Sequence, residues 1–391
     1  MNAWSLKRKL KSTAILTVAG YGVFAFVNIY KGNEKFYKQV VMPLMHCLDP
    51  ERAHQLAIFI AKHHLMPKLS YEDPAVLKCK FFDKQLSNPI GLAAGFDKHA
   101  EAITGLRNVG FSFVEVGSVT PKPQAGNIKP RLFRLTEDKA VINRYGFNSV
   151  GHDVVVDRLD CIRNKHHLNY TLGVNLGKNK TSTDPINDYV EGVKKFAPFT
   201  DYLVINISSP NTPGLRSLQT KVALEPLLKA VVETRNNLPQ ATKPYLLLKL
   251  APDLSYDECK DIAEVLKSKS CKMDGLIVCN STTERPDSLQ SEHRVEVGGL
   301  SGHPLGDVST KMISDMHKLT DGMMIIGVGG IFSGKDAYDK IKAGASVVQL
   351  YTGMVYEGPT VVTKIKRELA ELLAADGYTN VTEAVGINSK N

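Results

Sequence analysis

Eight short apolar runs recur from residue 88 to residue 353, with stretches of helical spacing between many of them. They are 88–95, 111–118, 172–177, 202–208, 245–252, 275–281, 323–330 and 346–353. Each run is nearly continuous in Val, Ile, Leu, Met or Gly instead of alternating with polar residues, the pattern of parallel strands covered on both faces. Eight such strands predict an α/β fold of the (β/α)8 TIM-barrel type. Nearly every run ends in or near Gly, Asn, Ser, Lys or Thr, which gathers small and polar residues at the C-terminal strand ends, where such barrels carry their sites. A doubly wound open sheet is the alternative, but no G-x-G-x-x-G follows an early strand.

The pattern differs before the barrel. Residues 34–66 carry apolar positions at helical spacing, broken at Asp49-Pro50, where Asp49 can cap and Pro50 can open a second helix. This predicts a helical pair packed on the main domain or resting on a membrane. Thr13 to Tyr30 contains no charge, and a helix of that length spans roughly 27 Å, close to the hydrocarbon thickness of a bilayer. The predicted organisation is a basic targeting segment 1–12, a transmembrane anchor 13–30, the helical pair 34–66 and a barrel domain 75–391. A cleaved secretory signal is the competing reading of the N-terminus; no clear A-x-A site supports it.

Composition changes the picture only at that end. Of the formal net charge of +9, residues 1–38 contribute +6: Lys7, Arg8, Lys9, Lys11, Lys31, Lys35 and Lys38 against Glu34. The remaining +3 is spread over 353 residues, so the basicity is an address-like feature of the N-terminus, not a nucleic-acid surface. The six cysteines form no C-x-x-C pair and share no ligand spacing with histidines, so they are read as reduced, and no metal site is expected.

The candidate chemistry lies in the strand ends. An uncharged loop follows Tyr202–Ile205 and holds Asn206, Ser208, Ser209, Pro210 and Asn211 before Arg216; closely spaced amides and hydroxyls suit a flat polar ring. Asn143, Asn206, Asn211 and Asn280 all fall at strand ends or loops, which suggests several amides reading one ligand. The sequon at Asn206 lies inside a strand end and is read as accidental. Lys249 near the end of the fifth run and Lys98 after the first can stabilise negative charge on a bound ring, or can be structural ion pairs. Gly329 and Gly330 at the end of the seventh run, with the LYTG that ends the eighth, occupy the usual phosphate loops of this fold. Among the histidines, His54 and His303 are the two near a candidate site.

The motifs AAGFDK (93–98), GSVTPKPQ (117–124), RLFRL (131–135), NRYGFNS (143–149), LGVNLGKNK (172–180), NISSPNTPGLRSLQ (206–219), KLAPD (249–253), GGLSG (298–302) and VQLYTG (348–353) closely resemble the membrane-associated, quinone-linked class of dihydroorotate dehydrogenase. The resemblance runs from about residue 36 to the C-terminus. It implies an FMN enzyme that oxidises dihydroorotate to orotate in pyrimidine biosynthesis and passes electrons to ubiquinone, as a single-pass, monomeric protein of the mitochondrial inner membrane. A soluble FMN barrel using fumarate or NAD, and a catalytically silent anchored barrel, are the rivals.

By the same resemblance Ser209 is the catalytic base, with Thr212 and Phe147 supporting proton removal and Lys249 stabilising charge. Lys98, Asn143, Arg144, Tyr145, Gly146, Phe147, Asn206, Asn211, Asn280 and Ser281 would hold the substrate. Ala94, Gly95, Phe96, Asp97, Lys98, Ser118, Asn175, Asn206, Lys249, Cys279, Gly302, Gly330, Tyr351 and Thr352 would hold FMN, the last four near its phosphate. His54, Arg134 and Tyr351 match quinone-tunnel positions, and Met45 stands where the family often has a glutamine.

Overall fold

The computed structural model describes residues 3–69, 71–165 and 170–389; the first two residues of the 1–12 segment lie outside the described residues. Eight parallel strands close into a barrel: β1 Ile90–Leu92, β2 Phe113–Val119, β3 Thr171–Leu176, β4 Tyr202–Asn206, β5 Tyr245–Leu250, β6 Gly275–Val278, β7 Met324–Val328 and β8 Val347–Leu350. β6 pairs with β5 and β7, and β8 with β7 and β1, so no edge is left open. Every strand falls within or one residue beyond a predicted run, and a helix packs outside after each. The helix Pro185–Phe196 shows why: Asp184 caps it, accepting from Asn187 N at 3.1 Å, and Tyr189, Gly192, Val193 and Phe196 are buried at i, i+3, i+4 and i+7 spacing.

The barrel axis holds large side chains that two strand glycines admit. A Cβ on Gly173 would lie 2.1 Å from Tyr202 Cζ, and one on Gly91 2.3 Å from Phe113 Cζ. A hairpin, Cys79–Phe81 with Lys84–Leu86, closes the N-terminal end; Phe81 stacks 5.3 Å from Phe113 and meets Tyr202 edge-on at 5.4 Å. Ligand access is therefore from the opposite end.

There a three-stranded antiparallel sheet, Leu132–Leu135, Ala140–Asn143 and Gly299–Gly302, lies over the C-terminal strand ends. Its small core contains Phe133, Leu135, Ile142 and Leu300.

Three helices precede the barrel. α1, Ala3–Tyr30, includes both the basic segment and the uncharged stretch in one helix, since nothing between them breaks it; Leu6–Tyr30 is long and apolar enough to cross a membrane, and Leu16, Val18 and Tyr21 are each more than 70% exposed. α2 runs continuously through Glu34–Phe36, a π-helical turn Tyr37–Val41, and Met42–His46. α3 is Pro50–Lys62; Asp49 caps it by accepting from Arg52 N at 3.0 Å, with Pro50 in its first turn. Only Lys31–Asn33 separate α1 from α2. Gly32 at φ +61° ends α1, Asn33 accepts from Phe36 N at 3.0 Å, and Arg367 grips Glu34 with two bonds of 2.9 and 3.1 Å.

Candidate active site

The strand ends surround a cavity of about 230 Å³ that extends from the barrel mouth out between α2 and α3. At its base a hydrogen-bond chain fixes the amides. Glu115, fully buried on β2, accepts from Asn175 Nδ2 at 2.9 Å and from Gln349 Nε2 at 2.9 Å. Asn175 Oδ1 accepts from Asn206 Nδ2 at 2.9 Å and from Ser118 Oγ. Asn206 Oδ1 accepts from Ser208 Oγ at 2.8 Å, and Ser208 Oγ in turn accepts from Asn280 Nδ2 at 3.0 Å. These residues come from five strands or strand ends, so the orientation of each amide is set by its neighbours. Asn206, the sequon residue, is buried within this chain.

Lys249 lies beside that chain, 5% exposed, with Nζ 3.9 Å from Glu115 Oε1. That separation is a charge pairing too long for a strong hydrogen bond, so Nζ keeps its donors for a ligand while its charge is balanced. Lys249 is thus an ion-pair partner of Glu115 that also lines the cavity. Lys98 lines the cavity with Nζ 4.3 Å over the Tyr145 ring and no ion-pair partner among the described residues; burial, and then the charge of Arg131, holds its pKa down at about 8.

Ser209 lines the cavity and accepts from Asn211 N at 3.3 Å. On the same loop Thr212 Oγ1 is buried without a partner. The lid sheet brings Asn143 to this loop, its backbone and side-chain oxygens accepting from Asn211 Nδ2 at 3.1 and 3.3 Å. Phe147, at φ +53°, lies against Gly177, where a Cβ would come within 2.9 Å of its ring. Arg216 braces the loop from behind, donating to Ser208 O at 3.0 Å and Ser281 O at 2.9 Å and pairing with Asp253 at 2.5 Å.

Toward β7 and β8 the wall becomes glycine. Gly302, Gly329 and Gly330 have φ of +104°, +120° and +71°, and a Cβ on Gly330 would stand 2.4 Å from Gly306 Cα. Thr352 Oγ1 and Ser301 Oγ lie 3.0 Å apart beside it. Such a cradle fits a phosphate, and the amides and Lys249 fit a polar ring, so the residues present suit a phosphorylated flavin.

The outer arm of the cavity is largely apolar, lined by Met42, Met45, Ala53 and Ala57, with His46, His54, Arg134 and Tyr351 set in it. His54 Nε2 lies 2.7 Å from Phe96 O, so that nitrogen carries the proton and Nδ1 accepts from Tyr145 Oη at 3.2 Å; burial lowers its pKa to about 4. Arg134 donates from Nη1 to His46 O at 2.9 Å, while its Nε is buried without a partner. Tyr351 stands where the two arms meet, its ring 5.7 Å from Phe96 and 6.0 Å from His54.

Five sequence-predicted residues do not line this cavity. Asp97 is buried and its carboxylate accepts from Glu101 N and Ala102 N at 2.9 and 2.8 Å, shaping the loop that carries Lys98. Arg144 faces Glu296 at 2.6 Å on the outside of the lid. Asn175 and Thr212 lie behind the cavity-lining residues. His303 is exposed and is not part of the wall. Sequence reasoning missed His46, which lines the outer arm and donates from Nε2 to Val355 O at 2.9 Å; it also missed Ser301 and the bracing pair Arg216–Asp253. Arg216, the first charge after the uncharged stretch 206–215, is the signal that could have suggested such a brace. Among the described residues no group of three or more His, Cys, Asp or Glu is placed to hold a metal ion.

A closed (β/α)8 barrel whose C-terminal strand ends gather glycines and amides around one cavity has the architecture of the barrel enzymes. Residues 76–373 match the dihydroorotate dehydrogenase family, and the chain belongs to that family, which is flavin-dependent in general. It is 49% identical over 395 residues to the mitochondrial dihydroorotate dehydrogenase (quinone) of Mus musculus, covering 99% of this chain and 100% of that one. It is 49% identical over 357 residues to the dihydroorotate dehydrogenase (quinone) of Rhodospirillum rubrum, covering 90% and 95%. The crystal structure of Eimeria tenella DHODH in complex with ferulenol superposes with a TM-score of 0.85 at 44% identity, covering 89% of this chain and 99% of that one.

Proposed function

We propose that this protein oxidises dihydroorotate to orotate at the barrel mouth and delivers the electrons to ubiquinone through the arm between α2 and α3. The observation that carries this reading is the continuity of one cavity whose inner part is amide-rich and whose outer part is apolar. The cofactor is FMN, held at its ring by Ala94, Gly95, Ser118, Asn206 and Lys249 and at its phosphate by Gly302, Gly330, Tyr351 and Thr352. When bound it supplies a hydride acceptor that can later give up its electrons one or two at a time.

The substrate carboxylate faces Lys98, and the ring amides pair with Asn143, Asn206, Asn211 and Asn280, with Tyr145, Gly146 and Ser281 completing the walls. Ser209 Oγ takes the proton from the ring carbon beside the one that loses hydride. A serine hydroxyl is a weak base, so the proton must move on; Thr212 Oγ1, buried and without a partner on the same loop, is the group suited to receive it. Phe147 keeps bulk water from this proton path. Lys249 stabilises the negative charge that develops on the cofactor ring.

The quinone head meets His54, Arg134 and Tyr351, and the free Nε of Arg134 is a donor for one of its carbonyl oxygens. α1 anchors the protein as a single span in the mitochondrial inner membrane, with one chain forming the complete site. Detergent-solubilised protein should reduce a short-chain quinone when dihydroorotate is added. A flavin that bleaches with dihydroorotate but reoxidises only with fumarate would support the soluble-type rival instead.

A further inference from the structure

Lys340 lies on the helix Gly334–Ala343 and is 1% exposed. Its Nζ donates to Gly306 O at 3.0 Å and to Thr310 Oγ1 at 2.9 Å, both neutral acceptors. No carboxylate lies within ion-pair distance of it among the described residues. The acidic groups nearest in field are neutral, engaged or remote: burial pushes the Cys279 thiol up to about 12, Asp336 accepts from Phe332 N and Ser333 N at 2.9 Å each, Asp339 pairs with Lys335 at 2.6 Å, and Asp307 is exposed on the first turn of the preceding helix, Gly306–Leu319. Lys366, which is equally buried, shows the ordinary arrangement, with Asp73 at 2.6 Å. A buried ammonium without a counter-charge is unfavourable, and burial draws the Lys340 pKa down to about 8.

An anion bound in the cavity would lie on the far side of Gly306 from Lys340. Gly306, whose carbonyl Lys340 holds, presses against Gly330 so closely that a Cβ there would come 2.6 Å from Gly306 N. Gly330 and Gly302 form the cavity wall. Lys340 thus stands one backbone layer behind the glycine cradle, where no bulk water intervenes to screen it.

We propose that Lys340 is a positioning residue for the cofactor, the buried counter-charge of its phosphate monoester, acting through the Gly306–Gly330 wall. The proposal rests on the FMN reading of the site. It separates the phosphate from the rest of the flavin: riboflavin has the same ring and lacks the anion.

The test is a titration of full-length protein in detergent, stripped of flavin, with FMN and with riboflavin, followed by flavin fluorescence. Lys340→Gln keeps a side chain able to bond Gly306 O but removes the charge. It should weaken FMN binding about tenfold or more and leave riboflavin binding within about twofold. Lys340→Arg, which retains the charge, should restore most of the FMN preference. Should Lys340→Gln fail to fold, Lys340→Met serves for the same comparison. Equal losses for both flavins, or no loss for either, would overturn the proposal and leave Lys340 as a simple tether of Gly306. Wild-type protein that binds neither flavin would overturn the cofactor reading itself.

Discussion

In the proposed function Ser209 supplies the hydroxyl that takes the substrate proton, and Thr212, three residues on in the same loop, has a buried oxygen without a hydrogen-bond partner. Ser209→Ala is expected to keep flavin bound yet slow its reduction by dihydroorotate about 10²-fold or more in stopped-flow absorbance, the usual loss when a general base is removed. Near-normal reduction would take Ser209 out of the mechanism. Lys98 carries a second expectation, in pH. Its pKa is held at about 8 by burial and Arg131, and a substrate carboxylate needs the charged form. The kcat/KM for dihydroorotate should therefore be flat on the acid side and fall about tenfold per unit above about pH 8, whereas Lys98→Met should lower the plateau and abolish the inflection. Wild-type activity that stays level well past that pH would detach Lys98 from the carboxylate. At this scale the four asparagines and Ser209 were legible because they gather at the C-terminal ends of one set of strands, in greater number than turns and caps alone require. Asp97 and Arg144 were not separable from them, since only the folded loop shows that Asp97 binds backbone N–H groups and that Arg144 meets Glu296 outside the lid.

The barrel strands are elements that a sequence exposes well, because doubly covered parallel strands leave unbroken apolar runs. The lid sheet was hidden for the opposite reason. Ala140–Asn143 alternates buried and half-buried residues over only four positions, and its partner Gly299–Gly302 lies more than 150 residues away. Asp49-Pro50 marked the start of α3 correctly, as a cap is a local device. Glycines inside strands, which propensity alone counts as weaknesses, are here spaces for the axial rings. Gly173→Ala should consequently destabilise the barrel by about 1–3 kcal/mol, the range for overpacking a tight core. Tyr202 cannot easily yield, since its hydroxyl is 3.2 Å from Gln349 Nε2. A thermal melt of the flavin-loaded variant that matches wild type would mean the ring has room the structure does not show.

For the whole molecule, the N-terminal 66 residues perform two separable tasks in the proposed function. Deleting 1–30 removes only α1, whose apolar surface is exposed, and should release a more soluble protein that still reduces short-chain quinones. Deleting 1–66 also removes α2 and α3, which form one side of the outer arm. Flavin reduction by dihydroorotate should then survive largely intact while quinone turnover collapses. Full quinone turnover in the longer deletion would show that the arm is not the quinone route.

The link Lys31–Asn33 sets a further limit. Three residues span at most about 11 Å, and Arg367 fixes the start of α2 to the barrel. With α1 in a bilayer, as the proposed function has it, the mouth of the apolar arm is held close to the lipid surface, and quinone entering by that arm comes from two dimensions. Turnover should then follow the mole fraction of quinone in the lipid rather than its amount per volume of buffer. Adding quinone-free lipid to vesicles at fixed total quinone should slow the enzyme by surface dilution, while protein lacking residues 1–30 and supplied with a water-soluble quinone should not respond.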